Sequence, residues 1–338
     1  MVGRNPGLVT TQGMIVADYF ASKGYSVLAA SDSPNRYVRL LDIIKTLVTH
    51  RRDVDIQCLE IYAERSFVVE TVASWLGKRF NQRLVMVLHG GTLPEFMNRF
   101  PRWSRFVLQQ AHVLVSPSSY MARAVKARGF NARIIPNVID LRQYPFRLRE
   151  SVRPRLFWMR SFHPAWNPVM ALRVLARLRT TFPEATLVMA GTDMGLQAEV
   201  QRLAGEWGLQ SAIRFPGFLN MEAKGREAGV ADIYINTNRI DNMPVAVVEA
   251  CAMGLPVVAT SVGGIPDLLV DGETGLLVPD DDHEAMTDAI IRLLTEPGLA
   301  GRLSANGLKL AEQSSWQQVR PKWESLFEEL MEADATFP

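Results

Sequence analysis

Short apolar runs alternate with segments of helical periodicity along almost the whole chain. The runs are rich in β-branched residues on both faces, which is typical of strands in a sheet covered on both sides. Strands that alternate with helices predict parallel sheets with right-handed crossovers, and therefore an α/β fold. The predicted strands are Tyr25–Ala30, Asp55–Ile61, Arg83–Leu88, His112–Ser116, Arg133–Pro136, Arg155–Met159, Ala185–Ala190, Ala212–Pro216, Asp232–Asn236 and Pro256–Ala259.

This pattern pauses between Asp140 and Arg153, where Pro145 and several charged residues interrupt the periodicity. We place a domain boundary there, with one Rossmann-like, doubly wound domain over residues 1–147 and another over residues 155–318. A helical pattern with apolar positions extends into residues 319–338. Because ligands of such sheets bind beyond the carboxyl ends of the strands, we expect the site in the cleft between the two facing domains.

The start of the chain departs from this scheme. Only Met1 and Val2 precede a loop, where a first domain of this type needs a full apolar strand. We interpret the first strand as very short or, by preference, truncated by a start codon that lies downstream of the native one. Intact-mass analysis of the native protein tests this interpretation.

The amino-acid composition indicates the class of protein but not its function. Apolar residues make up 48% and charged residues 21% of the 338 residues, as in ordinary globular proteins. Neither a secretory signal nor an apolar stretch of about 18 residues is present in the sequence, which argues against secretion and membrane spans. Two isolated cysteines, Cys58 and Cys251, indicate reduced core residues rather than disulfides or a metal site. We therefore expect a cytoplasmic protein.

Charge is distributed unevenly along the chain. Residues 1–150 hold 21 Lys and Arg against 11 Asp and Glu, a net charge of +10, whereas residues 151–338 hold 16 against 24, a net charge of −8. A basic first half favours an anionic acceptor or contact with the anionic face of a membrane, with plain solvated surface as the alternative. The sequence has no nucleic-acid-reading motif and no G-x-G-x-x-G fingerprint, which argues against those two functions.

The most informative segment for function is Asn238–Thr260, in which seven residues separate the carboxylates of Asp241 and Glu249. Asp241 and Asn242 are predicted helix N-caps, Pro244 suits the first helical position, and the helix is predicted over Val245–Met253. Its N-terminus is a natural site for phosphate or sugar oxygens. An exposed Glu249 on an amphipathic helix, with Asp241 as an ordinary cap, is the alternative.

Other reactive side chains follow predicted strands. His89 ends a strand and precedes two glycines, and Arg160 ends the first strand of the second domain, where it can grip phosphate oxygens. Gly7 permits a ligand to approach the backbone of the opening loop closely. The amides of Gly263 and Gly264 can face a phosphate.

Five segments resemble, in the same order, the retaining glycosyltransferases of family 4, which have the GT-B fold. The segments are Gly3–Gly13, Val87–Phe96, Ile134–Tyr144, Leu156–Pro168 and Asp241–Pro279. The family carries Glu where this chain has Asp241, so the resemblance is to a branch with Asp in the first carboxylate position. The resemblance implies metal independence, no cofactor other than a nucleoside-diphosphate sugar as co-substrate, and a C-terminal helix that packs back toward the first domain.

Residue roles follow from this resemblance. It implies that Arg160, Asp241 and His89 are catalytic, with Arg160 on the leaving diphosphate and the other two on the donor sugar. Glu249 is expected to accept hydrogen bonds from the ribose hydroxyls. The resemblance and the helix N-terminus extend the expected donor-binding set to Asn242, Met243, Pro244, Val245, Gly7, Gly263 and Gly264.

One departure from the family concerns phosphate binding. The family has a Lys about five residues after the Arg, where this chain has Ala165, Trp166 and Asn167. His163, Asn167 or Arg239 could replace it. Trp166 itself is interpreted as packing.

The sequence thus predicts a retaining hexosyltransferase that acts on a hydroxyl acceptor, in cell-surface polysaccharide or glycolipid synthesis. It is expected in the cytoplasm, with peripheral contact at the inner face of an anionic membrane. The alternatives are a non-catalytic protein that binds nucleotide sugars and an epimerase-like enzyme of the same fold. The missing Lys and the Asp at position 241 favour the non-catalytic alternative.

Overall fold

The computed structural model describes residues 11–332 apart from 32 and 34. The predicted opening strand and Gly7 lie outside the described residues. The chain divides into two compact units: the first unit combines the chain up to Val138 with the chain from Val319 onward, and the second unit is Ile139–Gln318. Among the described residues, no helix combines the length and the apolar composition that a membrane crossing requires.

The first unit is a four-stranded parallel sheet in the order β1-β2-β3-β4, with helices between its strands. Its core consists of apolar side chains from the sheet and the helices packed on it. The elements are α1 Gln12–Ser22, α2 Arg36–Thr49, β1 Ile56–Ile61, α3 Phe67–Arg79, β2 Arg83–Leu88, α4 Leu93–Arg99, α5 Pro101–Leu108, β3 Val113–Ser116, α6 Ser119–Lys126 and β4 Ala132–Ile134.

The second unit is a six-stranded parallel sheet with an apolar core cluster on each side. Its elements are β5 Arg155–Met159, α7 Pro168–Leu178, β6 Thr186–Ala190, α8 Gln197–Glu206, β7 Ile213–Gly217, α9 Met221–Val230, β8 Ile233–Asn236, α10 Val245–Ala252, β9 Val257–Thr260, α11 Ile265–Leu268, β10 Leu276–Val278, α12 His283–Thr295 and α13 Leu299–Glu312. The last helix, α14 (Trp316–Glu332), begins in the second unit and continues in the first.

The order of the strands in the second sheet determines where the candidate site of the second unit lies. The order is β10-β9-β8-β5-β6-β7, so the chain builds outward from β5 on one side and returns to add β8 on the other. The neighbouring strands β5 and β8 run parallel, with Leu156 opposite Ile233. The order therefore reverses between these two strands, and the loops after them flank the crevice in which such sheets bind ligands.

The predicted α/β class with two parallel sheets is confirmed, and nine of the ten predicted strands form, with small shifts at their ends. The strand predicted at Tyr25–Ala30 is wrong. Its backbone has no ladder partner among the described residues, and Tyr25 and Leu28 expose about half of their surfaces. Apolar residues alone do not make a strand without a neighbour to receive their hydrogen bonds.

Candidate active site

Arg160 and Asp241 meet at the switch point of the second sheet. Arg160 directly follows β5, Asp241 lies in the loop after β8, and the Arg160 guanidinium Nη2 donates to the Asp241 Oδ2. The Asn238 Nδ2 donates to the same oxygen at 2.7 Å, and the Asn242 backbone N–H donates to Oδ1 at 2.8 Å. Three donors from two neighbouring loops therefore fix this carboxylate.

Asp241 is buried, and its ionisation depends on these donors. Burial raises the pKa of the carboxyl above its ordinary value, and the charge of Arg160 with the hydrogen bonds from Asn242 and Asn238 lowers it only part of the way back. A carboxylate in such a place is stable as an anion only beside its cation. Arg160 and Asp241 thus act as one unit in the site.

The prediction that Asp241 and Asn242 cap helix α10 is wrong. Pro244 is the N-cap residue, and it makes no side-chain cap hydrogen bond. The Asp241 side chain is engaged by Arg160 and Asn238 and therefore does not reach the first turn. Asn242, Met243 and Pro244 are buried beside it, and Val245 opens the helix half-buried.

The predicted Gly263–Gly264 loop lies against the backbone of Asp241. The Gly264 N–H donates to the Asp241 carbonyl oxygen at 3.0 Å. Gly263 has a φ of 55°, and a Cβ at this position would collide with the same carbonyl group. The two glycines therefore support the loop that carries Asp241, and the Gly264 amide is already occupied.

Glu249 is buried on α10, so the alternative of an exposed side chain is wrong. Its Oε1 accepts from the Lys224 Nζ at 2.7 Å and from the Tyr144 hydroxyl at 2.8 Å. Burial, and then the charge of Glu249, raises the pKa of Tyr144, which keeps the phenol protonated as a donor. The sequence signalled neither partner, since α9 and residue 144 reach Glu249 only through the fold.

The three residues predicted to replace the missing Lys have other contacts. The Asn167 Nδ2 donates to the Asp281 Oδ1 at 2.9 Å, and Arg239 forms an ion pair of 3.0 Å with the same carboxylate. These two contacts lower the pKa of Asp281, the Asn167 hydrogen bond most strongly. The His163 Nδ1 accepts the Ala165 N–H at 3.2 Å.

What lies beside Arg160 instead is Trp166. The Arg160 guanidinium carbon stands 4.0 Å from the centre of a Trp166 ring, a cation–π contact. The sequence interpretation of Trp166 as packing did not anticipate this contact with a site residue.

His89 is placed in the first unit, directly after β2 and buried. Its Nε2 lies 3.4 Å from the Oε1 of Glu60, and its ring stacks on Tyr62 at 5.2 Å between centroids. Glu60 also accepts the Gly13 N–H at 2.6 Å. Burial opposes ionisation of Glu60, but the neighbouring His89 and the Gly13 hydrogen bond are among the contacts that together outweigh it, so the pKa of Glu60 lies below its ordinary value.

Glu60 was missed in the sequence, although a Glu in the apolar strand IQCLEI was an available signal. Within residues that the structure describes, no group of three or more His, Cys, Asp or Glu is arranged to hold a metal ion. The second unit thus offers an arginine paired with Asp241 and a glutamate paired with Lys224, and the first unit offers an imidazole beside a carboxylate.

Residues 146–310 match the family model of the glycosyl transferases group 1. This stretch, just under half of the chain, is therefore similar to the group 1 glycosyl transferases. The matched group 1 segment contains Arg160, Asp241, Glu249 and Lys224, together with the switch point that assembles them.

Two curated proteins similar to this chain are mycobacterial. The chain is 28% identical over 172 residues to the GDP-mannose-dependent alpha-(1-6)-phosphatidylinositol monomannoside mannosyltransferase of Mycolicibacterium smegmatis, covering 49% of this chain and 44% of that protein. It is 31% identical over 192 residues to the phosphatidyl-myo-inositol mannosyltransferase of Mycobacterium leprae, covering 56% and 49%. The chain spans about half the length of these relatives.

Solved structures extend the similarity to the whole fold. The Anabaena protein HepE, solved with UDP and glucose, superposes with a TM-score of 0.75 at 17% identity, covering 95% of this chain and 90% of that one. The sucrose-phosphate synthase of Thermosynechococcus elongatus superposes with a TM-score of 0.73 at 18% identity, covering 88% and 79%. The predicted GT-B fold class is thereby confirmed.

Proposed function

We propose that the protein is a retaining hexosyltransferase of the branch with Asp in the first carboxylate position, and that it takes its sugar from a nucleoside diphosphate. The observation that carries the proposal is the Arg160–Asp241 pair at the switch point of the second sheet. A guanidinium suited to a diphosphate and a carboxylate suited to sugar hydroxyls thus lie side by side, in a stretch that matches the group 1 family model, and this supports the proposal.

Glu249 supplies the second half of the donor site. Its Oε1 is occupied by Lys224 and Tyr144, whereas Oε2 has no hydrogen-bond partner among the described residues. A carboxylate oxygen held in this way is a good acceptor for a ribose hydroxyl. Lys224 also neutralises the carboxylate, which favours an anionic nucleotide nearby.

Arg160 is the group that we assign to bond cleavage. As the bond from the sugar to the diphosphate breaks, negative charge grows on the β-phosphate, and a guanidinium already in place stabilises it. Asp241 holds the donor sugar through its hydroxyls, and the role of His89 on the donor sugar stays a prediction. The acceptor proton passes to the leaving phosphate, so the reaction requires no protein base and proceeds with retention.

The acceptor that we propose is lipid-linked or a polysaccharide. The names of the two mycobacterial relatives refer to phosphatidylinositol substrates, and the first half of this chain is basic. The segment from Arg99 to Phe106 supports contact with a membrane, because Phe100 and Phe106 are more than a third exposed among exposed arginines. Aromatic and basic side chains together bind the anionic, inner surface of a membrane.

Liposome flotation tests the membrane contact. We expect wild type to float with vesicles that contain anionic lipid and not with neutral vesicles, and Arg102→Glu with Phe106→Ser to abolish the difference, since both side chains are exposed on α5. Arg202→Glu is the matched control, because this exposed arginine lies on α8 of the second unit. Equal recovery with neutral and anionic vesicles would contradict the proposal.

The donor site is tested by measuring the midpoint of thermal unfolding of the protein with UDP, GDP, ADP and their sugar conjugates. A ligand at 100 times its Kd stabilises the fold by about 2.7 kcal/mol. We expect one base to raise the midpoint of wild type and not of Glu249→Ala, and Arg160→Gln to lower turnover by roughly 10²–10³. No shift with any nucleotide would overturn the proposal, and binding without transfer would leave a non-catalytic or epimerase-like protein.

A further inference from the structure

Arg160 is held on one face and along part of its edge. A Trp166 ring covers the face of the guanidinium at 4.0 Å. Nη2 donates to Asp241, and Nε points to the Asn238 Oδ1 at 3.4 Å. Nη1 has no hydrogen-bond partner among the described residues. The side chain is 17% exposed, so little of it other than this edge is available to a ligand.

Trp166 is itself held in place by its neighbours. Its indole Nε1 donates to the Ser161 Oγ at 3.0 Å, and its backbone N–H donates to the His163 carbonyl at 3.0 Å. The Trp166 carbonyl accepts the Thr237 hydroxyl at 2.7 Å. That hydroxyl in turn accepts the indole N–H of the fully buried Trp158 at 2.9 Å. The ring is therefore tied to the core of the second unit.

A stacked indole holds a guanidinium differently from a second carboxylate. It contributes attraction through the face of the ring and leaves the N–H donors at the edge of the guanidinium unused. Asp241 already offsets the charge of Arg160, and another carboxylate would make the cluster net negative, which would repel an anionic ligand. Trp166 orients Arg160 without this repulsion.

We propose that Trp166 is a positioning residue that directs the Nη1 edge of Arg160 toward the terminal phosphate of a nucleoside diphosphate. The inference rests on the proposed function, because it assigns Trp166 to the same donor site. Trp166 acts only through Arg160. It sets the preference of the site for a diphosphate over a monophosphate and leaves recognition of the nucleoside unchanged.

The test compares Kd values for three pairs of probes, UDP with UMP, GDP with GMP and ADP with AMP, by titration calorimetry. For the base that binds, we expect Trp166→Leu to reduce the preference for the diphosphate by roughly 3- to 30-fold, the range of a cation–π contact. The Kd of the monophosphate stays unchanged, which also shows that the variant site is folded. Trp166→Phe retains a ring and recovers most of the preference.

Two further variants separate positioning from packing. Trp207→Leu removes a partly exposed tryptophan of the same unit, at the end of α8, and is expected to leave both Kd values unchanged. In the background of Arg160→Gln, Trp166→Leu is expected to have no further effect on diphosphate binding, because residues that act through one contact are not additive.

Each result has one interpretation. Equal losses for monophosphate and diphosphate in Trp166→Leu, or additive losses with Arg160→Gln, would overturn the positioning role while the donor site stands. An unchanged preference in Trp166→Leu would overturn it as well. If wild type binds none of the six nucleotides, the proposed function fails first, and the role of Trp166 fails with it.

Discussion

Glu70 shows how much a single buried side chain can depend on pH. Its Oε1 accepts the Tyr62 N–H at 3.1 Å, whereas its Oε2 is buried without a hydrogen-bond partner among the described residues. Burial raises the pKa of Glu70 from 4.5 to about 8, although the Tyr62 hydrogen bond lowers it. The native protein therefore holds a proton on Glu70 at pH values where the unfolded chain has lost it.

This proton makes the free energy of unfolding fall as pH rises from about 5 to 8, by roughly 1 kcal/mol per pH unit. Glu70→Gln keeps the shape and removes the titration. We expect the variant to be more stable than wild type at pH 8.5, with the difference shrinking toward pH 5, in urea unfolding curves. The exposed Glu95→Gln is the control, and parallel pH profiles for Glu70→Gln and wild type would contradict this account.

The sequence singled out individual candidate residues but not the side chains that pair with them in the structure. Arg160 was located because it ends an apolar strand, and Glu249 because a carboxylate stands in an apolar helix. Lys224 lies on a different helix from the glutamate that it pairs with, and the pattern along the chain holds no trace of that contact. Partners distant in sequence are set by the fold, which a single sequence does not display.

At the level of elements, Arg149 joins the ends of two helices. Its guanidinium is buried and donates to the carbonyls of Ala228 and Ala231 at the end of α9, and to that of Met253 at the end of α10. Burial lowers the pKa of Arg149 to about 10. Carbonyls at helix C-termini lack helical partners and favour a cation, so Arg149 stabilises both helix ends.

Arg149→Met leaves the buried Ala228 carbonyl without its donor, whereas Arg147 still donates to the carbonyls of Ala231 and Met253. We expect the variant to lower the free energy of unfolding by about 1–3 kcal/mol, the cost of one unsatisfied buried polar group. The measurement is urea unfolding of the variant beside Arg153→Met, whose exposed side chain lies in the same segment. A loss no larger than that of Arg153→Met would show that the carbonyls find other partners.

Strands were predictable from the sequence where an apolar run also has neighbouring strands in the sheet. The strands β5, β6 and β8 are apolar and lie inside a sheet, and their predicted ranges are nearly right. Tyr25–Ala30 has a similar composition but no ladder partner among the described residues, and β10 (Leu276–Val278) was missed because three residues give too short a run. In both cases, pairing with a neighbouring strand determines whether a strand forms, and amino-acid composition does not reveal that pairing.

At the scale of the whole molecule, the first unit is assembled from two distant parts of the chain. Helix α14 contributes Trp323 and Leu326 to the buried side chains of this unit. The Phe327 ring meets the Phe20 ring at 4.9 Å between centroids, and Arg133 donates to Glu329 at 3.0 Å. The first unit is therefore complete only with residues beyond Val319.

Leu326→Ala tests this assembly. We expect a loss of about 2–5 kcal/mol, the range for a buried Leu, and faster amide hydrogen exchange confined to the first unit. The second unit retains its protection because Leu326 is buried in the first unit. Lys322→Ala, at an exposed position of the same helix, is the control. Faster exchange spread equally over both units would contradict the division.

This arrangement has a consequence for biosynthesis. A ribosome releases the second unit as one uninterrupted stretch, so that unit can fold as soon as Gln318 has emerged. The first unit is synthesised earlier, yet it lacks α14 until residues 319–332 leave the exit tunnel. Domains usually fold in the order of their synthesis, but here the first unit completes its fold after the second unit. During this delay Phe20 and its neighbours stay uncovered, which makes the nascent chain a natural client for a chaperone.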